Sequence, residues 1–399
     1  MQVVSNARRL SRVLQSPIFL NSYHFLASDI RAIEGPQSAI QRRNETIFAT
    51  HDPRFSGMTQ GNCRQMTTGP MHFMMPKAFY TSEVNTLEGN PTEAVKELYD
   101  KILDSVNVKR TMAPNAWLWS MIENCKSRDD IRLLFDILQN LRRFRLSNLR
   151  IHENFNSNLC REVAKACVRV GALDFGKKTL WKHNTYGLTP SVASAHQLLL
   201  YAKSHNDTKL LVEVMKLLKT NDLPLQPGTA DIVFSICYNT DNWELINKYG
   251  KRFVKAGVKL RQISFDIWME FASKRGDTES LWKIEKIRSQ SMKQHTLATG
   301  FSCAKGLLLE RKSSDAATVI QVLNQTLSDV KKSGIKDELQ KLVSEWPLEV
   351  IKYQKEEEKK AIASSLKSDI PAMVNNLLSM GLGAKVNLQD LNGKEEILQ

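Results

Sequence analysis

The 399-residue sequence predicts an all-α fold: an α-solenoid of stacked helical hairpins with a period of about 35 residues. Three observations carry this prediction. Short polar turns stand at "RVGALD", "SHNDTK", "NTDNWE" and "KRGDTE", so Gly171, Asn206, Asp241 and Gly276 follow one another at intervals of 35. Small residues stand four positions before each turn, at Cys167, Ala202, Cys237 and Ala272, and a second turn keeps the phase at Gly187, Asp222 and Gly257 before it weakens at Met292. Between the turns apolar residues fall at helical spacing, as at Leu210, Leu211, Val214, Leu217 and Leu218.

Each unit is therefore a pair of helices of roughly 12 residues, about 18 Å long. Helices that short are marginal alone, so neighbouring hairpins must stack to bury their apolar faces. The small column lets the second helix of a pair approach the first. Clear units run over 115–149, 158–192, 193–227, 228–262 and 263–297, with an eight-residue insertion after the first of them. "EGNPTEAVKELYDKIL" reads as the second half of an earlier unit, and "RKSSDAATVIQVLNQTLSDVKKSGIKDE" as a looser one ending at Gly334, which sets the repeat domain at 81–337. Beyond it, 338–399 reads as a helical cap and tail, with an exposed helix through "YQKEEEKKAIASSLKS".

The N-terminus has a different character. Arg8, Arg9 and Arg12 precede the first acidic residue, Asp29, and Leu10, Val13 and Leu14 share a helix face opposite them. This is the composition of a mitochondrial transit peptide over 1–55, with "PRFSG" similar to a plant-type cleavage site and 56–80 as a linker. A matrix protein is expected.

A formal charge of +14 favours encounters with polyanions. Six cysteines without a CxxC pair argue against a zinc site or disulfide framework, and no apolar run reaches the roughly 18 residues of a membrane helix. The phosphate-loop, HExxH, GxSxG and zinc-deaminase patterns are missing, and His152 beside Glu153 has no second ligand nearby in sequence. The expectation is a non-enzyme with no catalytic residues, metal, cofactor or small-molecule substrate.

The 35-residue period, with "GLTP" at Gly187 to Pro190 closing a unit, resembles the pentatricopeptide repeat family; the related tetratricopeptide superhelix usually runs 34 residues per unit. The resemblance implies that each unit can read one RNA base through a side chain early in its first helix and another at its last position. The first positions become Glu162, Gln197, Ile232 and Ile267, and the last Val192, Pro227, Gln262 and Leu297. None of these pairs carries the Asn, Ser or Thr with Asp, Asn or Ser of the family pattern, and aliphatic groups cannot tell bases apart.

A different set points to phosphate. Lys178, Lys248 and Lys283 share one column and Lys216, Lys251 and Lys286 another, both on second helices, which the resemblance places on the outer side. Such a ladder gives affinity without reading sequence. Trp181, Trp243, Trp268 and Trp282 are expected to pack within the solenoid. The expected function is thus a mitochondrial RNA-associated protein, a ribonucleoprotein or mitoribosome component whose partners are organellar rRNA or mRNA and mitochondrial ribosomal proteins. The alternatives are a transcript-specific single-strand binder and a protein-only tetratricopeptide-like scaffold.

Overall fold

The computed structural model describes residues 90–147 and 155–382. The segments expected to be a transit peptide and a linker, His152, Glu153 and the tail beyond 382 lie outside the described residues. Within them, every regular element is helical. Helix α1 (Glu93–Leu103), continued by a π-helical turn (Asp104–Val108), packs on both α2 (Asn115–Asn124) and α3 (Arg128–Ser147). Hairpins follow in α4 (Phe155–Val170) with α5 (Leu173–Lys178), α6 (Val192–Ser204) with α7 (Thr208–Thr220), and α8 (Pro227–Asn239) with α9 (Trp243–Lys255). Two more are α10 (Gln262–Arg275) with α11 (Thr278–Ser291) and α12 (Leu297–Leu309) with α13 (Ser313–Thr326). Helices α14 (Asp329–Ser344), α15 (Trp346–Lys352) and α16 (Glu356–Ser379) complete the chain. The first helices α2, α4, α6, α8, α10 and α12 pack each on the next, and from α4 onward each second helix packs on its own first helix. This is a solenoid-like stack of hairpins.

The period is written in the backbone. Gly171, Asn206, Asp241, Gly276 and Arg311 all have positive φ, between 51° and 79°, at intervals of 35. One residue further on, the amides of Ala172, Asp207, Asn242, Asp277 and Lys312 donate to the carbonyls of Cys167, Ala202, Cys237, Ala272 and Leu307 at 2.8 to 3.1 Å. These bonds satisfy carbonyls that a helix end leaves open, in a Schellman-type turn. The chain then re-enters a helix: Asp207, Asn242 and Asp277 accept from the amides of Leu210, Leu245 and Ser280 at 2.9, 3.0 and 2.9 Å. Arg311 shows that the pattern continues one unit beyond the last clear one in sequence.

Successive first helices carry a column of hydroxyls, three of which join one helix to the one before it. Ser194, Thr229, Ser264 and Thr299 are each at most 1% exposed and again 35 apart. Ser194 donates to Cys160 Sγ at 3.2 Å, Thr229 meets His196 Nε2 at 2.8 Å, and Ser264 donates to Asp231 Oδ1 at 2.6 Å. Each bond ties a buried hydroxyl to the preceding first helix, which removes the cost of burying it.

One feature departs from the sequence expectation. Helix α5 has six residues where about 12 were expected, because after Lys178 the chain is drawn into a loop organised by Asn184. Helix α16 runs through Pro371 and closes at Met380, followed by Gly381 at φ 86°, where the glycines of "MGLG" mark its end in the sequence.

The C-terminal segment also returns to the repeats. Helix α14 packs on α12 and α15 on α10, while α16 packs on α13. Gly334 of α14 lies against Leu297, so close that a Cβ would come within 3.1 Å of its Cδ2. The buried Trp346 indole donates to the Ser273 carbonyl at 3.0 Å, Gln354 donates to the Arg275 carbonyl at 3.0 Å, and the Tyr353 hydroxyl donates to Asp241 Oδ2 at 2.9 Å. Helix α15 therefore covers the turn that contains Gly276.

Candidate nucleic-acid interface

All six candidate phosphate-binding lysines lie on second helices: Lys178 on α5, Lys216 on α7, Lys248 and Lys251 on α9, Lys283 and Lys286 on α11. Five of them are exposed, and Lys178 is half-buried with its ammonium 4.4 Å from the centre of the Phe175 ring. Lys283 is held by Glu279 at 2.6 Å, whereas among the described residues no ion pair involves Lys216, Lys248, Lys251 or Lys286. Helix α9 is the most cationic, with Lys248, Lys251, Arg252 and Lys255 against Glu244 alone. Arg252 is partly committed to the fold, since it donates to the Met215 carbonyl at 3.0 Å.

The family-derived reading positions have a different setting. Glu162, Gln197, Ile232 and Ile267 lie on α4, α6, α8 and α10, each partly buried. Ile232 and Ile267 pack against the core, and Glu162 accepts from Arg161 at 3.0 Å. Val192, Pro227, Gln262 and Leu297 are the first helical residues of α6, α8, α10 and α12; Val192 is buried and Leu297 faces α14. Ile232, Ile267, Val192 and Leu297 are thus packing residues, while Glu162, Gln197 and the exposed Gln262 keep polar side chains.

The tryptophans divide. Trp268 is 4% exposed and packs edge-on against Phe234, while Trp243 packs against Phe271 and the Trp282 indole donates to Glu310. Trp181 departs from the expectation: it is 46% exposed, on the loop that replaces the second half of α5.

Near the second-helix surface of α3 lies an open cleft of about 580 Å³, lined by Val106, Asn107, Gln139, Asn140, Arg142 and Arg143. It borders the π-helical turn, which sequence patterning does not reveal. Arg145, one turn from Arg142, is buried and donates to the carbonyls of Leu138 and Tyr186, and burial lowers its pKa to about 10.

A buried polar cluster was also hidden in the sequence. Glu285, His295 and Cys303 place ligand-type atoms within 4.8 Å of one another. Arg288 already fills this space, donating to both Glu285 oxygens at 2.7 Å each, and also to the carbonyls of Met292 and Gln294. Burial raises the Cys303 thiol well above its ordinary pKa, so it does not present a thiolate. The cluster is a salt-bridge network, and a cation there would have to displace a guanidinium.

His295 in that cluster is held neutral. Burial pushes its pKa down to about 4, against an opposing pull from Glu285 and with Arg288 adding to the depression. Because the folded pKa lies below the unfolded value of about 6.5, its contribution to stability is complete above that value and is lost as pH falls toward 4. Denaturant unfolding at pH 7.5 and pH 5 should show a stability decrement that His295→Gln reduces. An equal decrement in the variant would remove His295 from the acid response.

A scan against protein-family models finds no match for this chain, and a search of curated proteins finds none either. No helix among the described residues is long and apolar enough to cross a membrane.

Proposed function

We propose that this protein is a non-catalytic, pentatricopeptide-like helical-repeat protein that associates with RNA through phosphate contacts along its second helices, within an organellar ribonucleoprotein such as the mitochondrial ribosome. The observation that carries the reading is the exposed lysine ladder, which recurs with the solenoid period and includes four ammonium groups with no ion-pair partner among the described residues. A cation that is not neutralised locally can release a counterion when it meets phosphate. The repeat supplies the spacing: both columns are filled on α9 and α11, while α7 carries Lys216 with Glu213 in the other column.

The partly aliphatic reading column supports binding without base-by-base discrimination, in contrast to a transcript-specific factor. The basic, acid-poor N-terminus supports a mitochondrial address. The test is titration of single-stranded RNA at several salt concentrations. Replacing Lys248, Lys251, Lys283 and Lys286 with Gln should reduce the log–log salt slope by about 2 to 3, at about 0.7 per phosphate contact, with helix content unchanged. An unchanged slope would make the ladder a solvated surface; a wild-type protein that binds no RNA at low salt would leave the protein-only scaffold. Comigration with a ribosomal subunit on sedimentation of mitochondrial lysate would test the proposed setting.

A further inference from the structure

The loop between α5 and α6 presents an aromatic ring to solvent from a rigid frame. Its base is anchored by Thr179 and Leu180, both 0% exposed, with Thr179 Oγ1 donating to the Gly176 carbonyl at 2.6 Å. Asn184, 9% exposed, satisfies its whole amide within the loop: Nδ2 donates to the carbonyls of Trp181 and Leu188 at 2.9 and 2.8 Å, and Oδ1 accepts from the amides of Tyr186 and Leu188 at 3.0 and 3.1 Å. On one side the Lys182 amide donates to Asn221 Oδ1 of the next hairpin at 2.7 Å. On the other, Tyr186 packs edge-on against Phe135 of α3 at 4.8 Å between ring centres.

Trp181 sits between the buried Leu180 and the tethered Lys182, yet is 46% exposed. A large aromatic side chain has a strong tendency to leave water, and the neighbouring tryptophans do so. Keeping this one outside on an ordered loop provides a flat, pre-positioned surface. Its surroundings are cationic: Lys178 is one helical turn earlier, Lys182 follows it, and the arginine cleft of α3 lies beyond the same loop, with Arg142 Cγ 3.1 Å from where a Cβ of Gly187 would stand. Lys182 is partly offset by Asp222 at 2.9 Å.

We infer that Trp181 is a stacking platform for an unpaired base of single-stranded RNA, flanked by phosphate contacts from Lys178 and the Arg142–Arg143 cleft. This rests on the RNA reading above and narrows it: stacking needs a base face that a duplex does not expose. A protein segment is the other class of occupant for an exposed tryptophan, but the flanking cations favour a polyanion.

The experiment compares full-length wild type, Trp181→Ala and Trp181→Phe for binding to a fluorescent single-stranded oligoribonucleotide and to the corresponding duplex. Trp181→Ala should weaken single-strand binding about tenfold, Trp181→Phe should recover most of it, and duplex binding should not change. Nearly half of the residue is exposed, so the thermal transition should shift little, and unchanged helix content separates this effect from unfolding. Equal single-strand affinity for wild type and Trp181→Ala overturns the platform while the lysine variants continue to test the broader reading. An equal loss on single strand and duplex also overturns it, since that pattern is electrostatic. If wild type binds neither RNA, the broader reading fails with it, and loss by Trp181→Ala of a copurifying protein would assign the ring to a protein contact.

Discussion

Trp346→Ala is expected to destabilise the repeat domain by about 3 to 5 kcal/mol, the range for removing a large aromatic side chain from a core. Trp346 is 1% exposed and is among the largest fully buried side chains. Its indole nitrogen also satisfies the Ser273 carbonyl, near the end of α10, where helix carbonyls lack intrahelical partners. Around it, Arg275 lies over the Tyr353 ring at 4.2 Å and Lys274 pairs with Glu349 at 3.4 Å. The loss should therefore be concentrated at the C-terminal end. Hydrogen exchange is expected to accelerate in α15 and the end of α10 while α4 to α7 keep their protection, and chemical denaturation would supply the total. A loss below about 1 kcal/mol would mean that α15 is a loosely attached segment, since most core truncations of this kind cost more.

The second large effect is expected at Arg288. Its side chain and that of Glu285 are 3% and 4% exposed, so Arg288→Ala would leave a buried carboxylate without its partner. Breaking such a pair from one side costs about 3 to 5 kcal/mol, whereas replacing both partners with apolar groups of similar size is often close to neutral. Arg288→Met with Glu285→Leu should accordingly be much closer to wild type than Arg288→Ala in denaturant unfolding. Full neutrality is not expected, because Arg288 also donates to the carbonyls of Met292 and Gln294 at 3.3 and 3.1 Å. That bond pair has a specific place in the repeat. Where the second turn has a positive-φ residue at Gly187, Asp222 and Gly257, position 292 is Met at φ −137°, and the arginine side chain holds the loop instead. Equal stability losses in the single and double variants would show that these carbonyl bonds, rather than the ion pair, dominate.

The weakening of the sequence pattern at Met292 thus has a structural cause. The same holds at Arg311, which adopts φ 61° at the phase set by Gly171, Asn206, Asp241 and Gly276. Glycine, asparagine and aspartate declare a left-handed turn because it strains them least; arginine does not, so this hairpin looked looser than it is. The hydroxyl column at Ser194, Thr229, Ser264 and Thr299 was equally periodic in sequence, but the meaning of its first three members depends on partners some 33 or 34 residues away.

The candidate site was legible to the same extent as the local structure beneath it. Placement of the lysines on second helices followed from helical periodicity. Exposure of Trp181 did not, because it results from a helix that stops after Lys178 and from Asn184 capturing the backbone that follows. The α3 cleft depends on a π-helical turn and on which side chains flank it, neither of which has a spacing signature.

By itself the sequence determined the all-α class, the 35-residue unit and the position of its turns, because these depend on backbone preferences and helical periodicity acting within a few residues. Tertiary structure alone decided which groups remain available. It placed α15 over the Gly276 turn through hydrogen bonds between residues 73, 79 and 112 positions apart, enclosed Glu285 with Arg288, and left Trp181 in solvent. Burial is a property of neighbours brought together from distant parts of the chain, and no local pattern specifies them.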